Sequence, residues 1–443
     1  MRPHQKVMTL KEHLRKNIVL ATPVVIGQLG HIMVGVSDSL MVGRLGVIPL
    51  AGATFAGTIY HVLMLFGIGV SYAITPLVAA TDIKQKSKML GFLQNGFAMN
   101  LTLGVILFLI SWIASFGLDY FGQEPEVVQA ARPYLLIMGS SLIPLMIFQT
   151  FRQYAEGLSD TVNPMVVSIF ANFLNVGLNY LLIYGKLGAP QLGLNGAGYA
   201  TLISRVVMFL LMIWLVRRKW TGFKFQFDWT GIRQLLKLGL PSGLQYVFEV
   251  GAFATSAIMV GWISAEALAA HNIAINLAAI SYMAATGLAA AATIRIGNQM
   301  GFKDRKNLRI AGFSSFGMVG VFMAFTGIVF ILLRNVLPSL YIENMIVRET
   351  AATLLVIAAA FQISDGLQAI GLGVLRGLKD VRIPTIVTFV AYWLIAIPTG
   401  YLFAFEVGWG VNGIWYALSI GLTVAGIFHI WRFNRLSKKV AFD

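Results

Sequence analysis

No cysteine occurs among the 443 residues. Disulfide frameworks, cysteine-bound metals and thiol nucleophiles are thereby excluded. Charge is scarce as well: Asp, Glu, Lys and Arg make up 12% of the chain, against about 25% in an ordinary soluble domain. There is no GxxxxGK[ST] loop, so ATP does not drive this chain through a phosphate-binding loop of that kind. There is no HExxH pair either, and no polar stretch long enough for a soluble domain. What remains is apolar: 57% of residues are hydrophobic and the mean hydropathy is +0.76. The chain reads as an all-α polytopic membrane protein. Its net charge of +15 does not point to nucleic acid, because the basic residues cluster between apolar spans, as cytoplasmic loops do. The basic start, MRPHQKVMTLKEHLRKN, leads into a long apolar stretch without a small-residue cleavage site, which reads as a retained first helix.

Apolar spans begin near residues 15, 50, 88, 127, 161, 194, 231, 267, 306, 346, 383 and 410. Each is about 20 to 30 residues long, enough for a helix to cross the hydrocarbon layer. Only helices suit such runs, since a spanning backbone must satisfy its own polar groups. Lys and Arg concentrate on one side: Lys84, Lys86 and Lys88, then Arg217 to Lys237, Arg295 to Arg309, Arg376 to Arg382, and the tail RFNRLSKK. That bias predicts a bacterial inner-membrane protein with both termini cytoplasmic.

The chain also repeats itself. A shift of 218 carries Pro23 onto Pro241, MVG (41–43) onto MVG (259–261) and Thr75 onto Thr293. Further on, EGLSDTVNP (156–164) matches RGLKDVRIP (376–384), and GLNGAGYA (193–200) matches GVNGIWYA (410–417). The expected organisation is an N-terminal six-helix lobe (1–216), a cytoplasmic basic linker (217–230) and a C-terminal six-helix lobe (231–443). Six helices return the chain to its starting side, so the halves are parallel repeats, a layout used by alternating-access carriers.

Three of the 18 acidic residues fall within spans: Asp38, Glu249 and Asp365. Asp365 stands 11 residues before Arg376, the next charge, which is about 16 Å of helix. A charge at that depth costs roughly 2.5 to 3.5 kcal/mol on insertion scales and marks ion or proton pathways by default. Repeat mapping places Glu249 on His31, Asp38 on Ser256 and Asp365 on Leu145, so the lobes differ where the acids stand. Helical spacing puts Gln245 and Tyr246 on the face of Glu249, and Gln362 and Gln368 beside Asp365. Two carboxylates with neutral oxygen donors suit Na+, and equally a shared proton. In FANFLNVGLNYLLIYG (170–185), Asn172, Asn175 and Asn179 share a face. With Asp38 and Thr201 they make a second polar cluster, for which helix-to-helix hydrogen bonding is the competing reading. His31 and His61 lie within spans, where packing is the commoner role of a lone histidine. Arg205 also lies within a span, where snorkelling and pairing with an acid both fit.

These residues carry a resemblance. VSDSLMVGRLG (36–46), Glu249 in LPSGLQYVFEVGAF, Asp365 in FQISDGLQAIGLGVLRGLKD and NPMVVSIFANFLNVGLNYLLIYG (163–185) are together similar to the multidrug and toxic compound extrusion (MATE) transporters of the NorM-like bacterial branch. The resemblance implies twelve helices in two pseudo-symmetric six-helix bundles, the V-shaped MATE fold, and no enzymatic activity. It implies an antiporter that exports cationic lipophilic compounds in exchange for Na+ or H+, without a cofactor and as a monomer. Glu249 and Asp365 match a C-lobe cation site, which could hold Na+, and Asp38 matches an acid linked to an N-lobe site. Two departures stand out: Asn179 occupies a position often held by Asp, and Phe361 one that some relatives fill with Tyr. A lipid-linked oligosaccharide flippase-like carrier is the alternative within the fold class; a membrane-embedded enzyme or receptor is the alternative outside it.

Overall fold

The computed structural model describes residues 8–82, 84–217 and 228–440, and His31 by its backbone alone. Within them are twelve helices long and apolar enough to cross a membrane. They are α1 (Leu10–Gly43), α2 (Val47–Ala79), α3 (Lys86–Phe116), α4 (Pro125–Gly157), α5 (Val162–Tyr184) and α6 (Leu194–Val216), followed by α7 (Trp229–Gly261), α8 (Ala265–Phe302), α9 (Arg305–Leu333), α10 (Met345–Gly377), α11 (Arg382–Glu406) and α12 (Gly410–Lys439). Three of the helices, α8, α9 and α10, begin at side-chain caps: Ser264, Asp304 and Asn344 accept from the backbone N–H three residues on, which satisfies donors the helix itself leaves free. α5 stops at Gly185, whose φ of 66° is left-handed backbone that glycine adopts freely. Most of the expected linker, residues 218–227, lies outside the described residues.

The chain forms two compact units. One is Ile26–Gly243, and the other combines the described part of Met1–Val25 with that of Leu244–Asp443. Two helices therefore change unit along their length. α1 does so at Val25/Ile26 and α7 at Gly243/Leu244, positions related by the 218-residue repeat. Each switch follows a proline inside the helix, Pro23 or Pro241, by two residues, where the ring removes one backbone hydrogen bond.

The units reproduce one another's local contacts. In Ile26–Gly243, Thr75 Oγ1 donates to Gln153 O at 3.0 Å. In the other unit Thr293 Oγ1 donates to Gly373 O at 2.8 Å. Ser159 and Lys379, both at turns, share a left-handed φ of 65° and 64°. The N–H groups of Asp160 and Asp380, one residue on, reach Ala155 O and Leu375 O, both at 2.9 Å. The duplication read from the sequence is thus visible as repeated hydrogen bonds. In Ile26–Gly243, α5 packs on α6 and α4 on both α2 and α3. In the other unit α10 is central, packing on α8, α9 and α12. Small residues permit this closeness: a Cβ at Gly377 would meet Ile296 and the carbonyl of Thr293 within 3.0 Å, the helix-contact use of glycine expected in membranes.

Candidate functional site

In the Leu244–Asp443 unit, α7 carries Glu249 into the bundle with Gln245 one turn earlier, both buried. The Tyr282 hydroxyl of α8 donates to Glu249 Oε1 at 2.5 Å. Glu249 Oε2 is buried with no hydrogen-bond partner. α10 brings Asp365, also buried, within electrostatic range of Glu249, and both carboxylates act on Tyr282 and on Tyr392 of α11. Tyr246 acts on Tyr282 as well. Gln368, fully buried on α10, lies beside Glu249, although its amide makes no hydrogen bond of normal geometry. Gln362 is engaged elsewhere: its Oε1 accepts from Thr326 of α9 at 2.6 Å. Ion pairs join Arg132 to Asp119, Arg152 to Glu156 and Arg432 to Asp380; none of these three involves Glu249 or Asp365. Two buried carboxylates with so few donors are an expensive arrangement, and a cation or proton relieves it. The donors that fit a cation here are the free Glu249 Oε2, Asp365 and the Gln368 carbonyl.

The helix opposite this pair is irregular. In α11 the stretches Val390–Ala396 and Leu402–Glu406 widen into π-helical turns, on either side of Pro398, which has no N–H to donate. Such turns recur at functional sites. Here the first presents Tyr392, whose hydroxyl is buried without a partner. Trp393 Nε1 donates to Phe248 O at 3.0 Å, fixing α11 to α7 one residue before Glu249. Phe361 supplies no oxygen; its ring lies 5.4 Å from Trp415 and 6.3 Å from Phe253, as part of the hydrophobic core.

In the Ile26–Gly243 unit a second cluster forms around Asp38. Asn179 Nδ2 donates to Asp38 Oδ1 at 2.5 Å and to Asn175 Oδ1 at 3.1 Å. Asn175 Nδ2 donates in turn to Thr201 Oγ1 at 3.3 Å. One line of amides thus joins α1, α5 and α6. Asn172 stands outside the line, with its amide nitrogen unpartnered. Arg205, one turn beyond Thr201, neither snorkels to an end of the helix nor pairs with an acid. It donates to the Tyr60 hydroxyl and, at 2.7 Å, to Ser141 Oγ. His61 Nδ1 donates within its own helix, to Gly57 O at 2.6 Å. Among the described residues no group of three or more His, Cys, Asp or Glu gathers as a metal site.

The family model MatE matches residues 23–181 and 241–402, once in each sequence half, and these two stretches carry Asp38, Glu249 and Asp365. The chain belongs to the MatE family. Its members are membrane transporters, not enzymes. This MatE protein is 34% identical over 442 residues to a "Probable multidrug resistance protein NorM" of Rhizobium meliloti, covering 97% of this chain and 95% of that one. It is 34% identical over 439 residues to "Multidrug resistance protein MdtK" of Yersinia pseudotuberculosis, covering 96% of each. The fold is that of solved MATE structures: the eukaryotic MATE transporter AtDTX14 superposes with a TM-score of 0.86 at 20% identity, covering 97% of this chain and 98% of that one. Twelve such helices and these bacterial relatives make this MatE protein a multi-pass inner-membrane protein.

Several functional neighbours escape the sequence. Tyr282 and Tyr392 carry no hydropathy penalty, so neither stands out within its apolar span. Their signal is conditional: each lies on a helix that packs beside a buried acid, which only the three-dimensional arrangement reveals. The same holds for Tyr60 and Ser141, which receive Arg205.

Proposed function

We propose that this MatE protein is a secondary active multidrug efflux antiporter. The names of its relatives support multidrug efflux, and twelve helices without a nucleotide-binding loop support a gradient as the energy source. The reading rests on one observation above all: Glu249 and Asp365 share a buried site with no ion pair and an unpartnered carboxylate oxygen. Such a site stays charged only at high cost and is relieved by a small cation or a proton. In the proposed cycle, Na+ or H+ enters from outside and neutralises the two acids. The two lobes, 1–216 and 231–443, then close toward the outside. Opening inward releases the ion to the cytoplasm and admits a cationic lipophilic compound, whose positive charge competes with the ion. Asp38, in its separate cluster with Asn179, is the third acid of the proposed cation coupling. Both termini are placed in the cytoplasm by the distribution of Lys and Arg, and the transporting unit is taken as the monomer.

The test is efflux of a fluorescent organic cation from proteoliposomes under a Na+ gradient, a pH gradient, or neither. One gradient should drive efflux, and both Glu249→Gln and Asp365→Asn should abolish it while the protein remains monodisperse. Undiminished gradient-driven transport by both variants would remove the proposed site.

A further inference from the structure

In the Leu244–Asp443 unit, each embedded acid has a phenylalanine one helical turn away. Phe253 stands four residues after Glu249 on α7, and Phe361 four residues before Asp365 on α10. Successive spanning helices alternate in direction, so α7 and α10 run oppositely. Both turns therefore lead toward the same end of the bundle, the end where α8 and α12 begin. There the two rings meet, 6.3 Å apart and nearly edge-on at 73°, a favoured aromatic arrangement. Phe253 also lies 5.8 Å from Tyr392, and Phe361 lies 5.4 Å from Trp415 of α12. The file of rings ends in a polar contact: Trp415 Nε1 donates to His271 Nδ1 of α8 at 3.1 Å. That bond fixes the neutral imidazole with its own hydrogen on Nε2. Trp415 and Tyr392 are fully buried, and Phe361 and His271 nearly so. The surrounding core is apolar. A buried polar pair there adds little stability over apolar groups of the same shape. What it adds is orientation: it sets Trp415, and through Trp415 the ring of Phe361.

We propose that this aromatic file is a lid that shuts the Glu249 and Asp365 site toward one end of the bundle, and that His271 is its positioning residue, acting through Trp415. That end is the outer one by the distribution of Lys and Arg. Phenylalanine and indole rings carry no oxygen to replace the water an ion must shed, so the acids do not exchange ions outward while the file is closed. A site that is sealed outward can open inward without letting ions run through, which coupled exchange requires. The role in coupling rests on the antiport reading; the closure over the two carboxyls does not.

The test uses the purified full-length protein. A water-soluble carbodiimide with an amine nucleophile reports access to the carboxyls, read by mass spectrometry of the peptides that carry Glu249 and Asp365. His271→Leu leaves the Trp415 N–H buried without an acceptor and should raise the labelling rate several-fold. His271→Asn keeps an acceptor attached at Cγ, as Nδ1 is, and should label as slowly as the unaltered protein. In proteoliposomes without organic cation, His271→Leu should pass Na+ or H+ down a gradient several-fold faster than the unaltered protein, and His271→Asn should not. Labelling of His271→Leu at the unaltered rate overturns the proposal, and so does equal acceleration in His271→Asn. Fast labelling without an ion leak overturns the role in coupling. Should His271→Leu fail to fold, Trp415→Phe, which keeps a ring and removes the N–H, takes its place with the same expectation. The acids supply the separate arm: a leak that persists in His271→Leu/Glu249→Gln/Asp365→Asn removes them as the exchange site, while the labelling rates still decide on the lid.

Discussion

Replacing Tyr282 by Phe removes a single oxygen and leaves the ring. That oxygen donates to Glu249 Oε1 at 2.5 Å, and the companion oxygen Oε2 already lacks a partner. The hydroxyl therefore does most to hold the carboxylate in its ion-free state. Hydrogen bonds to charged groups contribute about 1.5 to 3 kcal/mol. A bound cation takes over the stabilising role, so the loss falls mainly on the empty form. Cation affinity should rise by roughly 10- to 150-fold, at about 1.4 kcal/mol per tenfold change. Tighter binding slows release on the cytoplasmic side, and maximal transport should fall even as half-saturation moves to lower ion concentration. The assay is uptake of a fluorescent cation into inverted vesicles over a series of Na+ or H+ concentrations, with thermal unfolding in detergent as the control for integrity. A Tyr282→Phe protein with unaltered half-saturation and turnover would refute the reasoning, because Glu249 would then not exchange its charge during transport.

Arg152→Ala should be far more damaging to stability than a surface change. It strands Glu156, which is 2% exposed and paired to Arg152 at 2.8 Å, at about 3 to 5 kcal/mol. The joint change Arg152→Met/Glu156→Leu should recover most of that loss in a thermal unfolding measurement, whereas equal damage in both would show that the pairing is not the cause. Gly377→Ala should lower the unfolding temperature by several degrees, since its Cβ meets Ile296 and a backbone carbonyl of α8, and overpacking of this kind costs about 1 to 3 kcal/mol. An alanine protein as stable as the original would mean that α8 and α10 can separate freely.

The twelve spans were legible because hydropathy changes sharply at their ends, and the expected starts fall within a few residues of those observed. The largest offset is α1, expected near 15 and starting at Leu10. Its first turns, LKEHLRKN, are too charged to count as apolar, but they are helical because His13 and Asn17 bond into α8 and α9. The acids were legible for the opposite reason: a charge in an apolar run is conspicuous. Their partners were not. Tyr282 and Tyr392 come from helices remote in sequence, and nothing local predicts the π-helical turns of α11, which depend on how Pro398 and its neighbours pack. Arg205 was visible as an anomaly, but its hydroxyl partners, Tyr60 and Ser141, sit 145 and 64 residues away. The spacing along α5 puts Asn175 and Asn179 on one face, where they hydrogen-bond to each other, whereas Asn172 joins neither end of the line.

The exchange of half-helices between the two units bears on how the protein is made. His13 finds Asn307 across 294 residues of chain. At a ribosomal rate of about 5 to 20 residues per second, roughly 15 to 60 seconds pass between the synthesis of the two. The first segment to enter the bilayer must therefore wait, its polar side chains unmatched, for partners that have yet to be translated. The earlier unit in its turn is not complete until the start of α7, through Gly243, has emerged. Neither body can mature as an independent product of its own half of the gene.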